Sequence, residues 1–274
     1  MKKLTNWIMD TLEWLFDAKD WKMLLRSIPA IVVALFVVST VTMNLAANKI
    51  VWSGVKIGQN YFLSVTGGLF LSWAVFLIMD MVTKTFGGKA SIKLNLFGAA
   101  VNALAVIFLG IIAALPSDFP YPGANTAFNQ VFGFTGSGVQ PWQILLSSTT
   151  AYILSGIVNA LVNVLIGKFF IKNTDGKIAF ITSSYISTML GQFVDNFIFT
   201  TMAFVLFAHF YGLLTVVGMS LLGALLELLC EIIFSPLAYH KCKKWQQEGV
   251  GKDYFDYCKK MELTTDPSRF EYRS

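Results

Sequence analysis

The sequence is poor in charge and in reactive side chains. Only 14% of its 274 residues are charged, and it contains two histidines and three cysteines. Cys230, Cys242 and Cys258 show no paired spacing, so neither a disulfide framework nor a zinc site is predicted. The sequence also lacks a P-loop motif and an H-E-x-x-H motif, which argues against nucleotide hydrolysis and against an intramembrane metalloprotease. We therefore expect no enzymatic activity, no cofactor and no metal.

Long apolar runs take the place of these features. Hydrophobic residues make up 55% of the chain, and the charges lie between the runs. A bilayer core about 30 Å thick requires about 20 apolar residues per helix. The pattern predicts an all-α membrane protein, with residues 27–240 forming a bundle of six transmembrane helices. The predicted spans are Ser27–Asn48, Asn60–Val82, Leu94–Leu115, Trp142–Phe170, Ile178–Phe210 and Gly212–Tyr239.

The distribution of Lys and Arg predicts the orientation. Nineteen of these residues lie in the N-terminal segment, in the connections between spans two and three and between spans four and five, and after His240. The alternate connections hold only Lys49 and Lys56. Because positive charge resists translocation, both termini of this inner-membrane protein are predicted to be cytoplasmic. The same rule explains the basic tail without a nucleic-acid partner.

The segments outside the bundle have their own patterns. In residues 1–26, Trp7, Leu12 and Trp21 alternate with charged residues at a helical period, which predicts an amphipathic helix at the membrane interface. Residues 241–274 are predicted to form a cytoplasmic tail. The long, aromatic connection Pro116–Pro141 suits either a lid or a flap at the headgroup level.

Polar residues inside the spans are the candidate site. A carboxylate at the centre of the membrane costs about 2.5–3.5 kcal/mol, so it requires a partner, a proton or a water-filled cavity. Gln192, Asp195 and Asn196 are spaced i, i+3 and i+4, which places them on one helix face. The other candidates are Asn102, Asn159 and Glu227, with Glu231 one turn beyond Glu227 and Asp80 near Lys84, its potential ion-pair partner. Asp195 and Glu227 are the candidates for proton coupling, whereas Ser72, Thr149 and Asn163 are expected to form ordinary interhelical hydrogen bonds.

Apart from Lys168 at the cytoplasmic end of the fourth, the predicted spans contain no Lys or Arg, which disfavours an anionic substrate. Carboxamides offer a donor and an acceptor together, carboxylates accept N–H groups, and aromatic rings provide stacking faces. The expected partners are therefore the lipid bilayer and a small neutral or cationic solute such as a planar heterocycle.

Three segments carry a family resemblance. MNLAANKI (Met43–Ile50), FLIMDMVTKTFGGKAS (Phe76–Ser91) and STMLGQFVDNFIF (Ser187–Phe199) resemble the signature segments of the VUT family of vitamin-uptake or queuosine precursor transporters. The resemblance implies a six-helix importer of 7-deazaguanine bases or related heterocycles. It also implies that Asn44, Asp80, Gln192 and Asp195 contact the substrate.

The sequence departs from the family pattern in three places. Lys84 stands where the pattern has Glu, and Ser183 stands where it has Arg. Gly156 and Asn159 replace a Gln-x-x-Asp pair in the fourth helix. These departures indicate a divergent subgroup.

Other interpretations keep the membrane fold but change the role. Substrate-capture subunits of energy-coupling-factor importers also have six helices and depend on a separate ATPase, and Ala30-x-x-x-Ala34 offers a small-residue docking face for such a partner. A structural or regulatory membrane protein would bind no solute. Homo-oligomerisation is open in each case.

Overall fold

The computed structural model describes residues 16–47, 49–53, 56–57, 60–61, 64–116, 122–133, 139–169, 177–207, 209 and 212–260, and they are nearly all helical. The helices are α1 (Ala18–Ser27), α2 (Ala30–Ala46), α3 (Leu69–Phe86), α4 (Gly88–Ala114), α5 (Pro122–Phe132), α6 (Pro141–Phe169), α7 (Lys177–Thr200), α8 (Leu213–Gln247) and α9 (Lys252–Lys260). A π-helix, Thr201–Phe207, continues α7. Four short strands lie between α2 and α3.

The described helices can cross a membrane four or five times. Four meet the requirements of length and apolar composition: α3, α4, the stretch Tyr185–Phe207 and α8. The pair α1 and α2, bent by 104°, meets them together. Helix α6, with 29 residues, also exceeds the length of about 20 residues that a crossing requires. The count of six therefore stays a prediction.

The outside of the bundle is apolar and its inside is polar. On α4, Leu104, Ile107, Phe108 and Ile111 are exposed at helical spacing, and α2, α6 and α8 carry similar rows. A soluble monomer rarely exposes apolar patches of this extent. Asparagine, glutamine and carboxylate side chains are buried between the helices instead. Lipid on the outside explains this arrangement, so the chain is a multi-pass membrane protein.

The second predicted span begins too early. We expected a helix from Asn60, but α3 begins at Leu69, and short antiparallel strands precede it: β1 (Ile50–Ser53), β2 (Lys56–Ile57), β3 (Asn60–Tyr61) and β4 (Ser64–Thr66). Strand β1 pairs with β4, and β2 pairs with β3. The pairs Ser53 with Ser64 and Ile57 with Asn60 follow one common register. Aromatic and β-branched residues in this segment favour strand pairing, although their hydropathy is that of a span.

The N-terminal and C-terminal helices pack together. Helix α1 ends at an extended Ile28, because the following Pro29 disfavours helical backbone at the residue before it. In the described part of the predicted interfacial helix, Leu24 is buried in the protein. Trp7 and Leu12 lie outside the described residues. Helix α9 packs on α1, with Tyr257 Oη donating to Asp17 Oδ2 at 3.1 Å. We call α1, α9 and the junction of α3 and α4 the terminal cap.

The connections between helices differ from the predictions at two places. Only Gly87, with φ 89°, separates α3 from α4, so Lys84 and Lys89 lie on the ends of helices. The predicted long connection 116–141 contains α5, which packs against α4. The π-helix ends at Phe207 and α8 begins at Leu213, which agrees with the break predicted between spans five and six, and His209 has a φ of 56°.

Candidate functional site

The predicted site residues lie on six helices and share a continuous interior. Six of the eight are less than one-tenth exposed, whereas Asp195 and Asn196 are half-buried. Asn44 lies on α2, Asp80 on α3, Asn102 on α4, Asn159 on α6, the stripe Gln192, Asp195 and Asn196 on α7, and Glu227 on α8. Four of them belong to two hydrogen-bonded groups, which we call the Asp80 cluster (Asp80, Asn159 and Thr188) and the Glu227 cluster (Glu227, Ser72 and Asn196).

The Asp80 cluster joins three helices. Asn159 Nδ2 donates to Asp80 Oδ1 at 3.2 Å, and Thr188 Oγ1 donates to Asp80 Oδ2 at 3.4 Å. Asp80 is 1% exposed. A buried carboxylate requires donors on both oxygens, and here a neutral amide and a neutral hydroxyl supply them.

The Glu227 cluster joins the same α3 and α7 to α8. Ser72 Oγ donates to Glu227 Oε1, and Asn196 Nδ2 donates to Oε2 at 3.1 Å. Glu227 is 2% exposed. Ser72 was expected to do no more than join helices, but its hydrogen bond ends on a predicted site carboxylate.

Asp195 lies between the two clusters along α7 and is hydrogen-bonded to α6. It accepts a hydrogen bond from Ser155 Oγ at 2.8 Å, and Ser155 lies one turn before Asn159 on the same face of α6. In the part of the chain that the structure describes, neither Asp195 nor Glu227 forms an ion pair. The described donors to these two carboxyl groups are thus uncharged: a hydroxyl group for Asp195, and a hydroxyl and an amide group for Glu227.

Gln192 lies midway between the clusters. It is four residues from Thr188 and four from Asn196 on α7, so each cluster is about 6 Å away along the axis. Its side chain is completely buried, and neither Nε2 nor Oε1 has a hydrogen-bond partner among the described residues. One carboxamide thus offers a free donor and a free acceptor between two clusters that each contain a buried carboxylate.

The structure places two predicted residues apart from these clusters. Asn44 accepts a hydrogen bond from Ser148 on α6. Asn102 is 1% exposed, and its Oδ1 has no partner among the described residues. Within the described part of the chain, neither residue is hydrogen-bonded to Asp80, Asp195 or Glu227.

A small cavity of about 30 Å³ adjoins the Glu227 cluster. Its lining residues are Val65, Thr66, Leu69, Asn196, Phe199, Thr200, Met219 and Gly223. This volume admits one or two water molecules. A heterocycle does not fit into the cavity, so its entry at this place would require the surrounding helices to move.

Several contributors were missed by the sequence reasoning. Ser155 carried a usable signal, because it lies four residues before Asn159. Asn95 carried none, since it stands at the edge of an apolar run, and its role is defined by its contact with Gly156 on another helix. Among the described residues, no three His, Cys, Asp or Glu side chains are grouped as metal ligands.

Comparison with known protein families gives a match over residues 66–240, to the model of a putative vitamin uptake transporter. The match spans well over half of the chain. The chain belongs to this family. The match begins at Thr66, the last residue of β4, and covers all helices from α3 to α8 up to residue 240, with both clusters. Neither the curated proteins nor the solved structures contain a significant match.

One departure from the family pattern has a structural explanation. Gly156 stands where the pattern has Gln, and a Cβ atom at this position would lie 2.4 Å from Asn95 Nδ2. The carboxamide of Asn95 on α4 thus occupies the space beside Gly156. The side chain of Ser183, another departure, lies outside the described residues.

Proposed function

We propose that this member of the putative vitamin uptake transporter family imports a small neutral or cationic heterocycle, specifically a queuosine precursor of the 7-deazaguanine type. The observation that carries the proposal is the buried row of the Asp80 cluster, Gln192 and the Glu227 cluster. Thr188 and Asn196, which mark its ends on α7, are eight residues apart, or about 12 Å along the axis. Two clusters that each contain a carboxylate, with an unpaired amide between them, can receive a planar ligand that carries N–H groups.

The charge of the row supports a neutral or cationic substrate. Asp195 and Glu227 have no Lys or Arg partner in the described region, so an anion would meet uncompensated negative charge. A ligand with N–H donors instead supplies hydrogen bonds that carboxylates accept. A positively charged group on the ligand would add a charge-assisted hydrogen bond.

Asp195 and Glu227 are also proposed to carry protons. Ionisable groups inside a membrane are characteristic of proton relays. Asp195 is half-buried and Glu227 lies beside the small cavity that Asn196 lines, so a water molecule can approach this end of the row. We therefore propose that a proton enters with the substrate.

The proposed orientation places both termini in the cytoplasm. Helices α1 and α9 contact each other, so they lie on the same side of the membrane. An even number of crossings between them satisfies this contact, which supports six spans over five. The excess of Lys and Arg in the terminal segments then assigns this side to the cytoplasm.

Uptake of labelled 7-deazaguanine bases into cells that lack their own route tests the proposal. Wild type, Asp195→Asn and Gln192→Ala are compared at matched amounts of membrane protein. Glu248→Gln is the control, because Glu248 is an exposed carboxylate on the cytoplasmic end of α8. We expect uptake by wild type and the control, loss in both site variants, and loss in wild type after a protonophore. No uptake by folded wild-type protein would refute the substrate assignment.

The substrate-capture subunit is the alternative. Ala30 and Ala34 are exposed on α2, as docking to an energy-coupling partner would require. The same uptake assay separates the two, because a capture subunit transports only when a partner ATPase and its scaffold are supplied. Uptake that persists without them supports a self-sufficient transporter.

A further inference from the structure

Asn95 on α4 is a buried polar residue outside the predicted site. It is 4% exposed, and its Nδ2 donates to the backbone oxygen of Tyr152 at 3.3 Å. Its Oδ1 has no hydrogen-bond partner among the described residues. A carbonyl oxygen can only accept, so the bond to Tyr152 fixes the orientation of the amide and turns Oδ1 away from it.

Gly156 leaves the space that this amide occupies. A Cβ atom on Gly156 would lie 2.4 Å from Asn95 Nδ2 and 3.5 Å from Met79 Cε. Tyr152, Gly156 and Asn159 follow one another at i, i+4 and i+7 on one face of α6. The amide of Asn95 is therefore packed against α6 one turn from the residue that binds Asp80.

Unpaired oxygens accumulate in this region. Asn95 Oδ1, Asn159 Oδ1 and Gln192 Oε1 all lack a partner among the described residues, and all three side chains are more than nine-tenths buried. Buried polar atoms in folded proteins are nearly always paired, so such a group of exceptions requires a cause. Among these three carboxamides the unpaired oxygens outnumber the unpaired nitrogens by three to one, because Nδ2 of Asn95 and Nδ2 of Asn159 each donate a hydrogen bond and Gln192 Nε2 does not.

We infer that Asn95 is a substrate-binding residue whose Oδ1 accepts an N–H of the transported heterocycle, and that Gly156 is required to seat its amide. This inference rests on the proposed transport function and extends it. It defines the substrate as a heterocycle with at least two N–H donors at one edge, one for Asn95 and one for Asn159. An analogue methylated on those nitrogens is expected to bind poorly.

Uptake kinetics of a labelled 7-deazaguanine base test this role. For Asn95→Ala we expect KM to rise about tenfold, as loss of one buried hydrogen bond predicts, with the maximal rate within about twofold of wild type. Gly156→Ala is expected to raise KM similarly, because the new methyl group displaces the Asn95 amide. Ser220→Ala is the matched control: Ser220 is completely buried, and among the described residues its hydroxyl donates within its own helix, to Val216 O.

A second variant moves the amide between helices. In Asn95→Gly with Gly156→Asn, the carboxamide is placed on α6 in the space that Asn95 vacates. We expect this double variant to recover most of the affinity that Asn95→Ala loses. A purely structural role for Asn95 would lower the amount of folded protein and would leave KM and the discrimination against the methylated analogue unchanged.

The possible outcomes are distinct. No uptake by folded wild-type protein would overturn the proposed function and this inference with it. Uptake by wild type with an unchanged KM in Asn95→Ala would overturn the inference alone. If Asn95→Ala does not fold, the double variant decides, and a folded double variant that does not discriminate against the methylated analogue would also overturn it.

Discussion

The terminal cap depends on one buried ion pair. Lys93 on α4 forms this pair with Asp20 on α1, and the two side chains are 0% and 1% exposed. Lys93 Nζ also lies 5.5 Å from the centre of the Trp21 ring. Replacing Asp20 with alanine would remove the carboxylate that pairs with this buried ammonium group. We predict that Asp20→Ala loosens the cap and destabilises the protein.

The expected size follows from the burial of the pair. Removing one partner of a buried ion pair costs about 3–5 kcal/mol. At roughly 2 °C per kcal/mol for a chain of this length, the unfolding temperature should fall by about 6–10 °C. Replacing both partners together, as in Asp20→Leu with Lys93→Met, removes the uncompensated charge, so this variant should be within about 1 kcal/mol of wild type or more stable.

Two measurements report the effect separately. Thermal unfolding in detergent gives the stability, and maleimide labelling of Cys258 on α9 gives the opening of the cap. Cys258 is 1% exposed, and burial raises the pKa of its thiol, so it should react slowly in the native protein. In a background without Cys230 and Cys242, Asp20→Ala should label faster, and the double replacement should label at the wild-type rate.

An exposed ion pair is the control for this prediction. Lys244 and Glu248 lie 3.5 Å apart on α8 and are 55% and 52% exposed. Breaking such a pair costs at most about 1 kcal/mol. The reasoning is refuted if Asp20→Ala unfolds within about 2 °C of wild type and leaves Cys258 as unreactive as before.

Two further predictions concern topology and the site. In a variant of the protein without its native cysteines, expressed in intact cells, an impermeant maleimide should label Lys49→Cys. Lys244→Cys should be labelled only after the membrane is permeabilised, and the reverse pattern would refute the proposed orientation. Gly223→Ala should lower uptake at least about tenfold without loss of folded protein, because a Cβ atom there would lie 2.8 Å from Asn196 Nδ2 and disturb its bond to Glu227. Uptake at the wild-type rate would show that this bond has no role in transport.

Hydropathy predicted the long helices well where the apolar run has clear ends. The fourth predicted span, Trp142–Phe170, differs by one residue at each end from α6, Pro141–Phe169, since a proline begins the run. The prediction of the second span was wrong at its start, because apolar residues such as Tyr61 and Val65 occur in strands as well as in transmembrane helices. Their strand partners, Lys56 and Trp52, are 5 and 13 residues away along the chain, and a local hydropathy window does not detect such pairing.

The site was predictable along each helix and unpredictable between helices. The stripe of Gln192, Asp195 and Asn196 follows from a local period, and the structure places all three on α7. Their partners are set by the packing of separate helices: the bond from Ser155 to Asp195 spans 40 residues. The pairing of Asp20 with Lys93 spans 73 residues, and nothing in the sequence around either residue indicates it.

The kind of partner separates the interior carboxylates from the one in the cap. Asp20 is held by the fixed charge of Lys93, so protonating it would remove the negative charge that pairs with a buried cation. Asp195 and Glu227 bond to Ser155 and Ser72, whose hydroxyl groups can donate to a carboxylate or accept from a carboxylic acid. Either protonation state of these two groups can thus be hydrogen-bonded without rearranging the helices. A site that exchanges a proton in each cycle requires this property, whereas a cap that stays closed requires the opposite.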